Sequence, residues 1–320
     1  MPDRALYELL DQAINAILAR GPVEAPGPEL DALVRIASTL CEMPAEDFQA
    51  RLKTDLERRV VMTAVHPAPV REGLHTITPY LMVPEGARLI EFLKRTFGAE
   101  ELLRSPAPAG FPSEVRIGDS ALMIRSGESM RGRERIGAFH VYVPDCDATY
   151  RRAVEAGATS LGEPADRPYG ERSGFVQDFA GNHWYIATRF ASTAAPEGLG
   201  TVLPFLFPAK ARVFIDFLKR ALGAEEMAVF EESGRVVHAA VRIGDAVLEM
   251  GEARDETPAL ASSFFFSVDD CDAWYRRAVA AGATSVEEPA DQPHGRRTAV
   301  VQDSFGYQWI PASLLNKPGG

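Results

Sequence analysis

The chain has 320 residues, of which 46% are apolar and 25% charged, with a formal net charge of −11. That length accommodates two or three ordinary domains, and the composition is that of a globular protein. The balance of 45 acidic against 34 basic residues argues against a sequence-independent nucleic-acid binder, which needs a basic face to displace phosphate counterions.

The one basic run, RGRER at 131–135, reads as a solvated loop. The three cysteines, Cys41, Cys146 and Cys271, show no CxxC spacing and fit a reducing compartment. MPDRALYELL at the start lacks a basic segment followed by an apolar core, and the longest strongly apolar stretch, near SSFFFSV, is far short of a membrane span. The sequence predicts a cytoplasmic protein with neither nucleic acid nor membrane as a partner.

In chain order, residues 1–65 carry helical periodicity (Leu6, Leu9, Leu10, Ile14, Ile17) broken by PVEAPGP, which predicts a small helical region. Such a region offers a surface for a protein partner or self-association. HPAPVREG at 66–73 and ASTAAPEG at 191–198 read as linkers. Between and after them lie two segments, 74–190 and 199–315, that repeat each other. YRRAVEAGATS at 150 returns as YRRAVAAGATS at 275, RIGD at 116 as RIGD at 242, and EPAD at 163 as EPAD at 288. Asp178, Gly181 and Trp184 return as Asp303, Gly306 and Trp309. A constant offset of 125 or 126 marks a duplicated domain.

Each copy has its own order. TPYLMV reads as a strand, and GARLIEFLKRTFG as an amphipathic helix with Leu89, Phe92, Leu93 and Phe97 on one stripe and a glycine stop. EELLR, SEVRIG and SALMIR follow as short strands. The pattern then restarts with the strand AFHVYV and the helix DCDATYRRAVEAG, which has an acidic start. The fold class is α+β, with two tandem domains, each a pair of βαβββ modules.

These phrases, TPYL, FL-R-FGAEE, RIGDS-LMI, D-DA-Y-RA--AGA and D--GN-W-IA, resemble the vicinal oxygen chelate (VOC) superfamily of glyoxalase, bleomycin-resistance and dioxygenase proteins, and within it a PhnB-like branch. The resemblance implies that module strands curl into half-cups and that two modules form a ligand cleft. It also implies a divalent metal held by His and Glu side chains in the enzymes. Carried over by register, the metal positions fall on Thr78, Met123, Ala138 and Tyr185 in the first copy and on Leu203, Glu249, Ser263 and Ile310 in the second. Only Glu249 is a ligand type, and catalytic sites usually need three or more protein ligands. The expectation is therefore no metal and no other cofactor.

His140 shares a strand face with Ala138 by period-two alternation, and His238 can approach Glu249 if their faces coincide. Parity places Tyr80, Met82, Met123, Arg125, His140 and Tyr185 in a first cup. It places Phe205, Phe207, Glu249, Phe265 and Gln308 in a second. Trp184 and Trp309 fall on the opposite face, as core. His183 and His294 read as solvent-facing, and His66 and His75 as linker residues. This lining suits a small organic ligand with a few polar groups, and Arg125 favours an anionic one in the first cup. Three functions follow: a metal-free small-molecule binder, a lyase, isomerase or dioxygenase with a non-standard metal site using His140, or His238 with Glu249, or a pseudo-enzyme scaffold.

Overall fold

The computed structural model describes residues 74–105, 112–168, 170–190, 199–255, 257–293 and 295–315. The predicted helical region at 1–65, both linkers and His294 lie outside the described residues. Among the described residues no helix is long and apolar enough to cross a membrane.

Four modules follow one another. The first holds β1 (Ile77–Val83), α1 (Gly86–Phe97), β2 (Glu100–Leu103), β3 (Ser113–Ile117) and β4 (Ser120–Ser126). The second holds β5 (Ala138–Tyr142), α2 (Cys146–Glu155), β6 (Thr159–Arg167), β7 (Glu171–Gln177) and β8 (His183–Arg189). The third holds β9 (Val202–Leu206), α3 (Ala211–Leu222), β10 (Glu225–Glu232), β11 (Arg235–Ile243) and β12 (Ala246–Met250). The fourth holds β13 (Ser263–Ser267), α4 (Cys271–Ala280), β14 (Thr284–Asp291), β15 (Arg296–Gln302) and β16 (Gln308–Leu314).

Local chemistry explains the boundaries. Helix α1 stops at Gly98 in the left-handed region, with φ of 69°, a conformation that glycine adopts without a Cβ penalty. Asp145 and Asp270 cap α2 and α4, each accepting a 2.9 Å hydrogen bond from the amide three residues on. The adjoining Cys146 and Cys271 are buried, and burial pushes their thiols up to about 11 and about 12, which marks packing rather than reactive groups. The D--GN-W phrase is a hydrogen-bonded corner. Asp178 accepts from the Ala180 and Asn182 amides, the Asn182 side chain and Trp184 Nε1 at 2.9–3.0 Å. Asp303 repeats the corner with Trp309 Nε1 at 2.9 Å. Both tryptophans are fully buried, as expected for core.

The sheets do not follow the copies. One eight-stranded sheet runs β14-β15-β16-β13-β1-β4-β3-β2, joining module 4 to module 1. The other runs β10-β11-β12-β9-β5-β8-β7-β6, joining module 3 to module 2. The seams are antiparallel pairs, Thr78 opposite Phe265 in β1–β13 and His140 opposite Leu203 in β5–β9. The apolar cores do follow the copies. Leu89, Phe92 and Leu93 of α1 pack with Phe139, Val141 and Trp184, and Phe214, Phe217 and Leu218 of α3 pack with Phe264, Trp274 and Trp309. Each sequence copy therefore shares one core on the helix side, and each sheet is shared between copies. Grouping the lining residues by copy is corrected by this topology, because a strand's inner face lines whatever sheet it joins.

The RIGD repeat ties the copies at their seam. Asp119 Oδ1 accepts the Thr201 amide at 2.7 Å, and Asp245 Oδ1 accepts the Thr76 amide and hydroxyl at 2.6 Å each. Gly118 and Gly244 sit at φ of 60° and 61°, where a Cβ would come within 2.2 and 2.3 Å of the Thr201 and Thr76 hydroxyl oxygens. His75, set apart as a linker residue, joins this clasp: Nδ1 lies 3.2 Å from Asp245 Oδ2. The residue one repeat later, Gly200, leaves room for the ring, its Cβ position lying 3.8 Å from His75 Nε2.

Candidate functional site

The face of each sheet turned away from its helices forms the candidate site; we call them cup A (modules 1 and 4) and cup B (modules 2 and 3). Alternation along β1, β4, β13 and β16 delivers Tyr80, Met123, Phe265 and Ile310 to cup A, where they form a buried apolar cluster with Ala121 and Ala312. Arg125, on β4 opposite Met82 of β1, is half-buried at the edge of this cluster. Arg125 also bears on Tyr80: burial raises the phenol, and the Arg125 cation opposes that rise. Arg296 reaches over the Phe265 ring at 5.4 Å. Gln308 donates to Gln302 Oε1 at 3.3 Å, and Arg135 braces the same corner through Gly306 O at 3.1 Å and Gln302 Oε1 at 3.3 Å. Part of the basic run is thus folded onto the sheet edge rather than solvated.

Cup B is different. His140 on β5 lies 2.9 Å through Nδ1 from Glu249 Oε2 on β12, and 3.4 Å through Nε2 from Glu171 Oε2 on β7. His238 Nε2 is 3.7 Å from Glu249 Oε1. All but His238 are buried: His140 is 9% exposed, and Glu171 and Glu249 5% each. Burial alone would lower the His140 imidazole, but Glu171 and Glu249 outweigh it and raise it to about 9. Burial alone would raise Glu249, but His140 and His238 hold it down at about 2. His140 is therefore an imidazolium between two carboxylates at neutral pH.

Aromatic rings surround this row. Phe175 and Tyr185 stack at 4.0 Å, Tyr185 meets Phe205 at 5.5 Å, and Phe205 meets Phe207 at 5.0 Å. Tyr142 lies 4.4 Å from His140, and the Arg189 guanidinium covers the Tyr142 ring at 4.1 Å. His183, expected at the solvent, is 8% exposed. It contacts Gln177 at 3.1 Å and the edge of Phe175 at 5.3 Å. As the first residue of β8 it shares the inner face with Tyr185, and burial lowers its imidazole.

Thus Tyr80, Met123, Arg125, Phe265 and Gln308 share cup A, while His140, Tyr185, Phe205, His238 and Glu249 share cup B. Sequence reasoning missed Glu171 and Arg296. They are equivalent positions in the repeat, and each opens a strand after a turn, where alternation has no preceding residue to set its phase.

The donor set can be tested against the divalent metal of the resemblance. Regrouped by sheet, the carried-over positions are Thr78, Met123, Ser263 and Ile310 in cup A and Ala138, Tyr185, Leu203 and Glu249 in cup B. None of the four cup A positions is a ligand type, although β3 brings the buried Glu114 opposite Met123. In cup B the two nitrogens of His140 diverge toward separate carboxylates, so its donors do not converge on one point. Among the described residues no group of three or more His, Cys, Asp or Glu side chains could hold a metal ion. The residues do not fit that metal.

Comparisons with known proteins agree with this architecture. An uncharacterized protein of Mycobacterium bovis is 34% identical over 122 residues, covering 34% of this chain and 80% of its own length. CFP32 of Mycobacterium tuberculosis, a proposed glyoxylase, is 26% identical over 173 residues, covering 52% of this chain and 65% of its own. The fold is similar to that of glyoxalase I from Zea mays, with a TM-score of 0.58 at 16% identity over 74% of this chain and 91% of that one. The Glyoxalase/Bleomycin resistance protein/Dioxygenase superfamily matches residues 73–186 and again 204–310. Two matches that together span more than half of the chain place it in this superfamily, to which it belongs.

Proposed function

We propose that this protein binds small organic molecules in its two cups without a metal ion. The observation that carries this reading is the His140–Glu249 hydrogen bond of 2.9 Å: the one carboxylate at a carried-over metal position is already engaged by a neighbouring cation. Cup A adds an apolar floor with Arg125 and Arg296 above it, which suits a small carboxylate or phosphate ester through charge-assisted hydrogen bonds.

The test is elemental analysis of the purified protein, followed by thermal unfolding of EDTA-treated protein with and without added zinc, nickel or manganese. The expected result is no stoichiometric metal and no rise in Tm, because a ligand that binds only the folded state must raise it. One tightly held metal per chain, lost in Glu249→Gln, would replace this reading with that of a metal-dependent lyase, isomerase or dioxygenase. For cup A, calorimetry with small carboxylates and phosphates should show binding weakened about tenfold in Arg125→Ala, the size of a charge-assisted hydrogen bond.

A further inference from the structure

The cups descend from one duplicated sequence, yet their inner faces differ in charge at equivalent positions, and cup A has a buried carboxylate of its own, Glu114 opposite Met123, where cup B has Ala240 opposite Glu249. Glu171 of cup B is equivalent to Arg296 of cup A, Glu249 to Met123, His140 to Phe265 and Gly251 to Arg125. The apolar versions at 123 and 265 pack into the cup A floor, so the fold itself does not require the charged versions.

The two cup B carboxylates are also under-bonded. Three nitrogens lie near their oxygens, at 2.9, 3.4 and 3.7 Å. Only the first contact has the length and direction of a hydrogen bond; His140 Nε2, which faces Glu171, is a buried nitrogen with no hydrogen-bond partner. Buried carboxylates are ordinarily satisfied by several donors, because desolvated charge is costly. Two arginines lie opposite Glu171 in the sheet: Arg167 on β6 donates to the Ser173 hydroxyl and carbonyl at 3.2 Å each, and Arg189 on β8 is laid on Tyr142 at 4.1 Å, a planar cation resting on the aromatic wall. On the other side of Glu249, His238 Nε2 lies 3.7 Å from Oε1, its ring 6.1 Å from Phe205, which in turn meets Phe207 at 5.0 Å.

We propose that cup B takes a planar organic cation with N–H donors, of the amidinium or protonated aminoheterocycle class. It stacks on Tyr185 and Phe205 and donates to the free oxygens of Glu249 and Glu171. This rests on the metal-free binding reading. A delocalised planar cation supplies what the site lacks: donors in a fork that matches carboxylates, and a face that matches aromatic rings.

The experiment is calorimetry on the full chain, EDTA-treated, with benzamidinium, benzamide and benzoate as probes. Benzamidinium should bind at one site per chain, about tenfold or more tighter than benzamide and tighter than benzoate at that site. Glu249→Gln and Glu171→Gln should each weaken it about tenfold, while Arg151→Ala, on the exposed side of α2, leaves it unchanged. Because Glu249→Gln also removes the partner of His140, the wild-type probe series and Glu171→Gln decide the matter if that variant unfolds. Absence of benzamidinium binding, benzoate equal to benzamidinium in cup B, or affinity indifferent to Glu171→Gln would overturn the proposal. Its failure is distinct from failure of the metal-free reading. Charge-blind probe binding by metal-free protein removes only the cation, whereas a stoichiometric metal at Glu249 removes the reading beneath it.

Discussion

Cup A contains the apolar counterpart of the buried ion pair in cup B, and this sets up a double-mutant cycle whose end point the protein itself supplies. The perturbations are His140→Phe, Glu249→Met and the two together, which import Phe265 and Met123. The rise of the His140 imidazolium from 6.5 to about 9 corresponds to a preference of about 3 kcal/mol for the paired, charged form, at about 1.4 kcal/mol per tenfold. Breaking a buried pair from one side leaves an uncompensated charge and costs about 3–5 kcal/mol, whereas replacing both partners with packed apolar groups is close to neutral. Each single variant should therefore lose roughly 3 kcal/mol, and the double variant should be more stable than the sum by about 3 kcal/mol. Glu171 remains in all four proteins, so full recovery is not expected. The assay is urea unfolding at pH 6, with slopes compared to verify two-state behaviour. pH enters with a definite sign. A histidine raised by folding stabilises fully below its unfolded value of 6.5, and that stability is lost as pH rises through about 9. Glu249, held at about 2, stabilises above 4.5 and loses its contribution only as pH falls through about 2. The coupling should thus be near full at pH 6, decline between pH 6.5 and about 9, and be largely gone by pH 10. Additive single effects at pH 6, or a coupling unchanged between pH 6 and pH 10, would refute the assignment of His140 as the buried cation.

Other expectations concern the scaffold. Gly244→Ala should cost about 2–3 kcal/mol in thermal or urea unfolding, since it combines a positive φ with a Cβ driven into Thr76; a loss below 0.5 kcal/mol, roughly the surface-substitution range, would mean the clasp opens freely. Asp178→Ala should cost about 3 kcal/mol by stranding the Trp184 and Asn182 donors, with the red shift of tryptophan fluorescence as a second readout. The Asp245 contact raises the His75 imidazole against burial. Its stabilising contribution should be complete below pH 6.5 and fade as pH rises through the raised value. Because the pair is partly exposed, His75→Asn should change stability by less than about 1 kcal/mol, visible as a difference from the parent at pH 5.5 that vanishes at high pH.

Much of the fold was legible in the sequence because it is written locally. Period-two alternation, the stripe of Leu89, Phe92 and Leu93, the aspartate caps and the glycine stops each depend on residues a few positions apart, and the 125-residue offset exposes the duplication directly. The same locality explains why Trp184 and Trp309 could be assigned to the core: their face follows from their own strand. What the sequence left open is which modules share a sheet. Both copies carry the same strand patterns, so pairing module 1 with module 2 or with module 4 satisfies them equally. The choice is made by the long-range β1–β13 and β5–β9 seams and by the clasps of Asp119 and Asp245. That choice gathers His140, Glu171 and Glu249 from three strands into one buried row, and it leaves Met123 and Phe265 together in the other cup. Their separations along the chain, and the shared register of β5 and β9, exist only once the sheets have closed. The charge of each cup is therefore a property of tertiary structure, because electrostatic coupling depends on distances of a few ångströms that no local pattern encodes.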